Sequence, residues 1–315
     1  MNKPDISVHL SGISLPNPII PASGTFGFGY EMAEWYDINC LGAISLKGTT
    51  KEPRFGNPTP RIAECASGML NAVGLQNPGV QAVIEEELPR LRRVYGGVAI
   101  ANISGFSLEE YVYTARRFDE DATASILEIN VSCPNVKHGG MSFGTSPKAA
   151  AEVTAAVKKA VKKPVYIKLS PNVTSISAVA KACEEAGADG LVLINTLLGM
   201  RIHPRTGKPI VSIGSCGFSG PAIKPVALRM VYEVCAAVNL PVIGVGGIAC
   251  ADDVLEFISA GAAAVQVGSQ TLVDPWACPK IIEELPRVMQ EYGIESLASI
   301  RGRAHGDKAI TQGCS

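Results

Sequence analysis

Eight short apolar runs, each ending in a small or polar residue, recur along the chain: NPIIPASG (17–24), GAISLKGTT (42–50), GVAIANISG (97–105), ILEINVSC (126–133), PVYIKLSPN (164–172), GLVLINT (190–196), PVIGVGG (241–247) and AVQVGSQ (264–270). Between most of them lie alanine-rich stretches such as SPKAAAEVTAAVKKAVKK and SISAVAKACEEAGAD, with apolar positions at i, i+3 and i+4. Strand then helix, repeated, means parallel strands joined by crossover helices, and strands apolar throughout suit a sheet covered on both faces. Eight such units favour a closed (β/α)8 TIM barrel. An open doubly wound sheet satisfies the same periodicity, because periodicity does not report closure.

Two intervals are longer than a helix needs. Residues 50–80 and 197–225 are rich in Gly, Pro and Asn and read as loop insertions over the C-terminal face of the barrel. The start, ISVHLSGISLPNP, alternates around Ser11-Gly12 and predicts an N-terminal β-hairpin plugging the opposite end. No linker or low-complexity run interrupts the 315 residues, so the expectation is one domain over 1–315.

With 28 basic and 29 acidic residues the formal charge is -1, which gives no electrostatic footprint for nucleic acid or an anionic membrane. The nine cysteines form no CxxC pair and no metal-type spacing, as expected of reduced thiols. The N-terminus lacks a signal-peptide pattern, and no stretch approaches the roughly 18 apolar residues of a membrane span. A soluble, cytoplasmic enzyme acting on small molecules is the expectation.

In a parallel barrel the active site lies at the C-terminal strand ends, so the last residues of the strands form a ring. That ring holds Ser23, Lys47, Asn102, Asn130, Lys168, Asn195, Gly246, Gly247, Gly268 and Ser269. Any one of them fits an ordinary polar strand end. The set argues for a ligand, because a lysine inside an apolar strand such as VYIKLS is costly unless it faces an anion or an electron-rich ring. Glycines closing the last two strands let backbone N–H groups approach a phosphate, at the usual phosphate position of this fold. A phosphate there, with amides and lysines across the mouth, suits FMN: Asn can bond the pyrimidine edge of the isoalloxazine, and a lysine can sit near N1 and O2. No GxGxxG opens a first strand and helix, so a dinucleotide is the poorer fit as the tightly held ligand.

Cys133 follows the fourth strand, beside Pro134. A metal ligand would want Cys or His neighbours at ligand spacing, and His138 alone does not supply them. A nucleophile would want a histidine base, and the chain has only His9, His138, His203 and His305. A general base beside a flavin remains, together with plain packing.

The segments PASGTFGFG, SLKGTT, NAVGLQNPG, INVSCPNVKHGG, YIKLSPN, INTLLGM, GVGGI and VGSQT, in this order along nearly the whole chain, resemble the class 1 dihydroorotate dehydrogenases and within them the NAD-linked class 1B catalytic subunit. A cysteine at 133 is similar to class 1, whereas the membrane-linked class 2 enzymes carry serine there. The resemblance implies that Cys133 removes the C5 proton of dihydroorotate while C6 passes hydride to flavin N5. It implies substrate contacts from Lys47, Asn71, Val73, Gly74, Leu75, Asn130, Asn135, Asn195 and Thr196. It implies FMN contacts from Ser23, Lys47, Gly48, Asn102, Asn130, Lys168, Ile194, Gly220, Gly246, Gly247, Gly268 and Ser269, with no metal site. It further implies a partner subunit with FAD and a [2Fe-2S] cluster that passes electrons to NAD, in a heterotetramer of two catalytic and two electron-transfer subunits built on a homodimer of this chain. The alternatives are the fumarate-linked class 1A, a pyrimidine-reducing barrel similar to that of dihydropyrimidine dehydrogenase, and a non-catalytic phosphate-binding barrel.

Overall fold

The structure is a computed structural model, and it describes residues 3–132 and 143–306. Its strands are β1 (Val8–Leu10), β2 (Ile13–Leu15), β3 (Ile19–Pro21), β4 (Ala43–Ser45), β5 (Ile62–Cys65), β6 (Gly68–Asn71), β7 (Val98–Ile103), β8 (Ala124–Asn130), β9 (Val165–Lys168), β10 (Gly190–Leu193), β11 (Leu197–Gly199), β12 (Cys216–Ser219), β13 (Val242–Val245) and β14 (Ala264–Val267). The eight apolar runs correspond to β3, β4, β7, β8, β9, β10, β13 and β14. They lie side by side in parallel, in the order β3-β14-β13-β10-β9-β8-β7-β4.

The two ends of that order meet, which makes the sheet a nearly closed barrel. Gly42 N–H donates to the Ile19 carbonyl at 3.0 Å, and Asn17 Nδ2 donates to the Cys40 carbonyl at 2.8 Å. Only glycine permits this approach, because a Cβ on Gly42 would lie 2.1 Å from the Asn17 carbonyl oxygen. Closure therefore depends on backbone contact that the apolar pattern does not encode.

The crossover helices start where serine can cap them. The backbone N–H groups of Glu110, Ala149 and Ala178 donate to Oγ of Ser107, Ser146 and Ser175, opening helices Leu108–Glu120, Pro147–Lys158 and Ile176–Glu185. Each helix buries its apolar face on the barrel: Tyr111, Ala115 and Phe118 on the first, Ala150, Val153 and Val157 on the second. The helical segment after β6 is built from Val80–Ala82, a π turn Val83–Glu87 and Leu88–Arg92. Pro89 has no N–H to continue the α pattern, which accounts for a wider turn just ahead of it. One apolar core joins the barrel strands to these helices.

The N-terminal hairpin is where the alternation places it. β1 and β2 pair antiparallel through Ser11-Gly12, both with positive φ, and Ser11 Oγ lies 2.9 Å from the Tyr166 hydroxyl near the start of β9. The hairpin thus covers the N-terminal end of the barrel, opposite the strand ends that form the ring.

The two long intervals are insertions over the C-terminal face, as the Gly, Pro and Asn content implies, and besides loop they carry short strands. They supply β5, β6, β11 and β12, which form one four-stranded antiparallel sheet in the order β11-β12-β6-β5. The sheet has its own small core of Leu70, Ala72, Val211 and Cys216. Its strands are three or four residues long, and its central pairing, β6 with β12, joins segments more than a hundred residues apart, so no local alternation announces the sheet.

Candidate active site

The C-terminal strand ends and the antiparallel sheet enclose one cavity, with an empty volume, including its open mouth, of about 1350 Å³. Of the residues the sequence nominates, Ser23, Lys47, Gly48, Asn71, Val73, Gly74, Leu75, Asn102, Asn130, Lys168, Ile194, Asn195, Thr196, Gly246, Gly247, Gly268 and Ser269 line it. Gly220 does not. It stands behind Gly247, where a Cβ on Gly247 would come 2.9 Å from the Gly220 carbonyl oxygen. Cys133 and Asn135 lie outside the described residues.

The amide ring is held by its own hydrogen bonds. Asn195 Nδ2 donates to Asn130 Oδ1 at 3.2 Å, and the same oxygen accepts the Ser132 N–H at 3.1 Å. Ser132 Oγ donates to the Lys168 carbonyl at 2.8 Å, so the chain immediately before Cys133 is tied to both β8 and β9. Asn195 Oδ1 accepts the Thr196 N–H at 2.9 Å, and Asn172 Nδ2 donates to the Thr196 carbonyl at 3.0 Å. Opposite, the segment Val73 to Leu75 is braced by Asn57, whose Nδ2 donates to the Ala72 carbonyl, and by Asn77, whose Nδ2 donates to the Leu75 carbonyl. Leu75 sits there at φ 58, a left-handed conformation uncommon outside glycine and typical of functional walls.

The two lysines differ in environment. Burial in the cavity wall holds the Lys47 ammonium below the usual lysine range, and the nearby Arg61 charge pushes the same way. A bound carboxylate would relieve that cost. Lys168 is buried, with Nζ 3.0 Å from Glu128 Oε1 and 3.0 Å from Gln266 Oε1. The anion that makes a lysine tolerable in VYIKLS is therefore the protein's own.

Sequence reading missed Glu128 and Gln266, although both carry a signal: each is a polar residue inside an apolar strand, ILEIN and AVQV. It also missed Ile62, Met69, Gly217 and Ser219, which the antiparallel sheet brings to the wall, and Ala22, Gly24, Thr25, Ile223, Val245, Ile248 and Leu272.

The cavity fits FMN on three observations. Asn102 lines the wall, and its Oδ1 is buried without a hydrogen-bond partner, an acceptor the protein itself leaves unused. Gly246 and Gly247 have φ of 132° and 76°, and without side chains their amides can approach a phosphate. Lys168 presents an ammonium to the same wall. Among the described residues no group of three or more His, Cys, Asp or Glu side chains could hold a metal ion, and no helix is long and apolar enough to cross a membrane.

Comparisons with known proteins agree with this architecture. The chain is similar to the catalytic subunit of dihydroorotate dehydrogenase B (NAD(+)) from Anoxybacillus flavithermus, 58% identical over 299 residues covering 95% of this chain and 96% of that one. It is 56% identical over 307 residues to the subunit of the same name from a Geobacillus species, covering 97% and 98% of the two chains. Among solved structures, a dihydroorotate dehydrogenase from Eimeria tenella, in complex with ferulenol, superposes with TM-score 0.79 over 97% of this chain and 90% of that one; at 21% identity this speaks to the fold alone. The family model described as dihydroorotate dehydrogenase matches residues 5–289. A barrel whose mouth gathers amides, lysines and open glycines, matched over nearly its whole length by these relatives, belongs to the dihydroorotate dehydrogenase family.

Proposed function

We propose that this protein is the catalytic subunit of an NAD-linked dihydroorotate dehydrogenase, oxidising (S)-dihydroorotate to orotate in the de novo pyrimidine pathway that leads to UMP. The observation that carries the reading is a single cavity lined by Lys47, Asn71, Asn130 and Asn195 on one side and by Gly246, Gly247, Gly268 and Ser269 on the other. The first group suits a planar, carboxylated pyrimidine. The second suits the phosphate of FMN, which when bound supplies at N5 the acceptor for the hydride leaving C6.

The chain's own residues do the rest. Lys47 meets the substrate carboxylate, and its lowered proton affinity makes an anion a favourable neighbour. Asn71, Asn130, Asn195 and Thr196 offer the donors and acceptors that an imide-like ring edge requires, with Val73, Gly74 and Leu75 as the facing wall. Cys133 takes the C5 proton, and Ser132 directly before it is pinned by Asn130 and Lys168. Ser23, Gly48, Asn102, Lys168 and Ile194 hold the flavin. Gly220, whose carbonyl stands behind Gly247, is placed with them.

A further subunit completes the electron path to NAD. The seven described cysteines, Cys40, Cys65, Cys183, Cys216, Cys235, Cys250 and Cys278, form no set suited to a [2Fe-2S] cluster. We place that cluster and FAD on an electron-transfer partner, in a cytoplasmic heterotetramer with two copies of each chain around a homodimer of this one. Trp35, Leu272, Val273 and Trp276 are exposed apolar side chains, and Leu272 also lines the cavity, as a partner reached from the flavin would require.

The test of the base assignment is Cys133→Ser. It should retain FMN at the wild-type ratio and lose most turnover at neutral pH, since a hydroxyl is a far poorer base than a thiol. Unchanged turnover would remove Cys133 from the role.

A further inference from the structure

Lys168 is one member of a closed polar cluster beneath the cavity. Glu128 on β8 is fully buried, at 0% exposure, and both its oxygens are engaged: Oε1 accepts from Lys168 Nζ at 3.0 Å and from Asn102 Nδ2, and Oε2 accepts from Gln266 Nε2. Gln266 Oε1 accepts in turn from Lys168 Nζ at 3.0 Å. The four side chains come from β7, β8, β9 and β14, so the cluster ties together strands on different sides of the barrel. Asn102 and Lys168 line the cavity, whereas Glu128 and Gln266 do not. A carboxylate so deep is tolerable only when paired and fully hydrogen-bonded, and this one is.

The consequence for the wall is specific. Because Glu128 accepts from Asn102 Nδ2, the amide is turned so that its Oδ1 is left without a partner at the wall. Because Glu128 also accepts from Lys168, the ammonium is held in one place rather than free to follow its flexible stem. One buried carboxylate thereby fixes both an amide and an ammonium that belong to the cavity lining. The pyrimidine edge of an isoalloxazine presents the matching pair, an N–H donor and an acceptor edge at N1 and O2.

We propose that Glu128 is a positioning residue for the flavin, acting through Lys168 and Asn102 without touching the cofactor itself. The proposal rests on the reading of the cavity as an FMN site. Outer partners of this kind carry about 10- to 100-fold in affinity for the group they orient, by analogy with those around metal ligands.

The experiment is a double-mutant cycle on the full chain, read by FMN affinity and by the visible spectrum of bound FMN. Glu128→Gln keeps the shape and removes the charge, and it should weaken FMN binding by about tenfold with the same spectral change that Lys168→Met produces. In the double variant the two losses should be less than additive, because part of the carboxylate's effect passes through the lysine and the rest through Asn102. Should Glu128→Gln fail to fold, the double variant still decides the matter: it leaves neither ion unpaired, and the proposal expects it to fold and bind FMN weakly. Wild-type FMN affinity in Glu128→Gln or in the double variant, or simple additivity in the cycle, would overturn the proposal. A wild-type chain with no affinity for FMN would overturn the cofactor reading, and the proposal with it.

Discussion

The Asn195 side-chain amide donates to Asn130 Oδ1 at 3.2 Å, joining the ends of β10 and β8 across β9. The oxygen that receives it also accepts the Ser132 N–H, one residue before Cys133. In the proposed reaction, substrate contact and the placement of the base would meet on this single side-chain atom.

Asn130→Ala removes both bonds at once. The expected outcome is a fall in kcat/KM for dihydroorotate of about a hundredfold, the size of effect that small misplacement of a reacting group produces. Steady-state rates normalised to bound FMN check it, and a change under threefold would separate Asn130 from the positioning of the base.

Lys47→Ala tests the carboxylate contact. Truncating one member of a desolvated charge pair costs about 2–5 kcal/mol, so orotate affinity should fall by at least thirtyfold. The pH dependence follows from the depressed proton affinity of Lys47. Only the ammonium form attracts a carboxylate, so orotate binding is strong at low pH and is lost as pH rises through a value below the usual lysine range. Calorimetric titrations at stepped alkaline pH should show that decline in the wild type and none in Lys47→Ala.

The two glycine turns separate fold from ligand. Gly247 has φ 76°, and a Cβ there would lie 2.7 Å from Lys224 Cβ, so Gly247→Ala should cost about 1–3 kcal/mol of stability together with FMN binding. At Gly268 the nearest atom to an added Cβ is Ala22 Cβ at 3.8 Å, ordinary contact, so Gly268→Ala should keep its melting temperature. Its methyl group projects at the cavity wall, and FMN affinity should fall. Equal thermal shifts in the two variants would contradict the assignment of Gly268 to the phosphate side.

The barrel strands were legible because each is a continuous apolar run with a polar end, and the ring followed from reading those ends together. The antiparallel sheet was not legible. β6 pairs with β12 across a long stretch of chain, and residues such as Gly68 and Gly217 give its strands the composition of turns. Lys168 teaches a different lesson. A lysine inside an apolar strand points to an anion or an electron-rich ring and so to a ligand, but the anion within hydrogen-bond reach is Glu128, two strand positions before Asn130, and a carboxylate inside ILEIN is visible as soon as strands 4 and 5 are set side by side.

The central claim is that this chain oxidises dihydroorotate through FMN and hands the electrons to NAD only through a partner. The direct measurement is anaerobic: record the visible spectrum of the purified chain, add dihydroorotate, then offer NAD or fumarate. The account predicts loss of the flavin absorbance on adding substrate, and no recovery with either acceptor until the electron-transfer subunit is supplied with NAD. Prompt recovery with fumarate alone would place the chain with the fumarate-linked enzymes, and an unchanged spectrum after dihydroorotate would contradict the substrate.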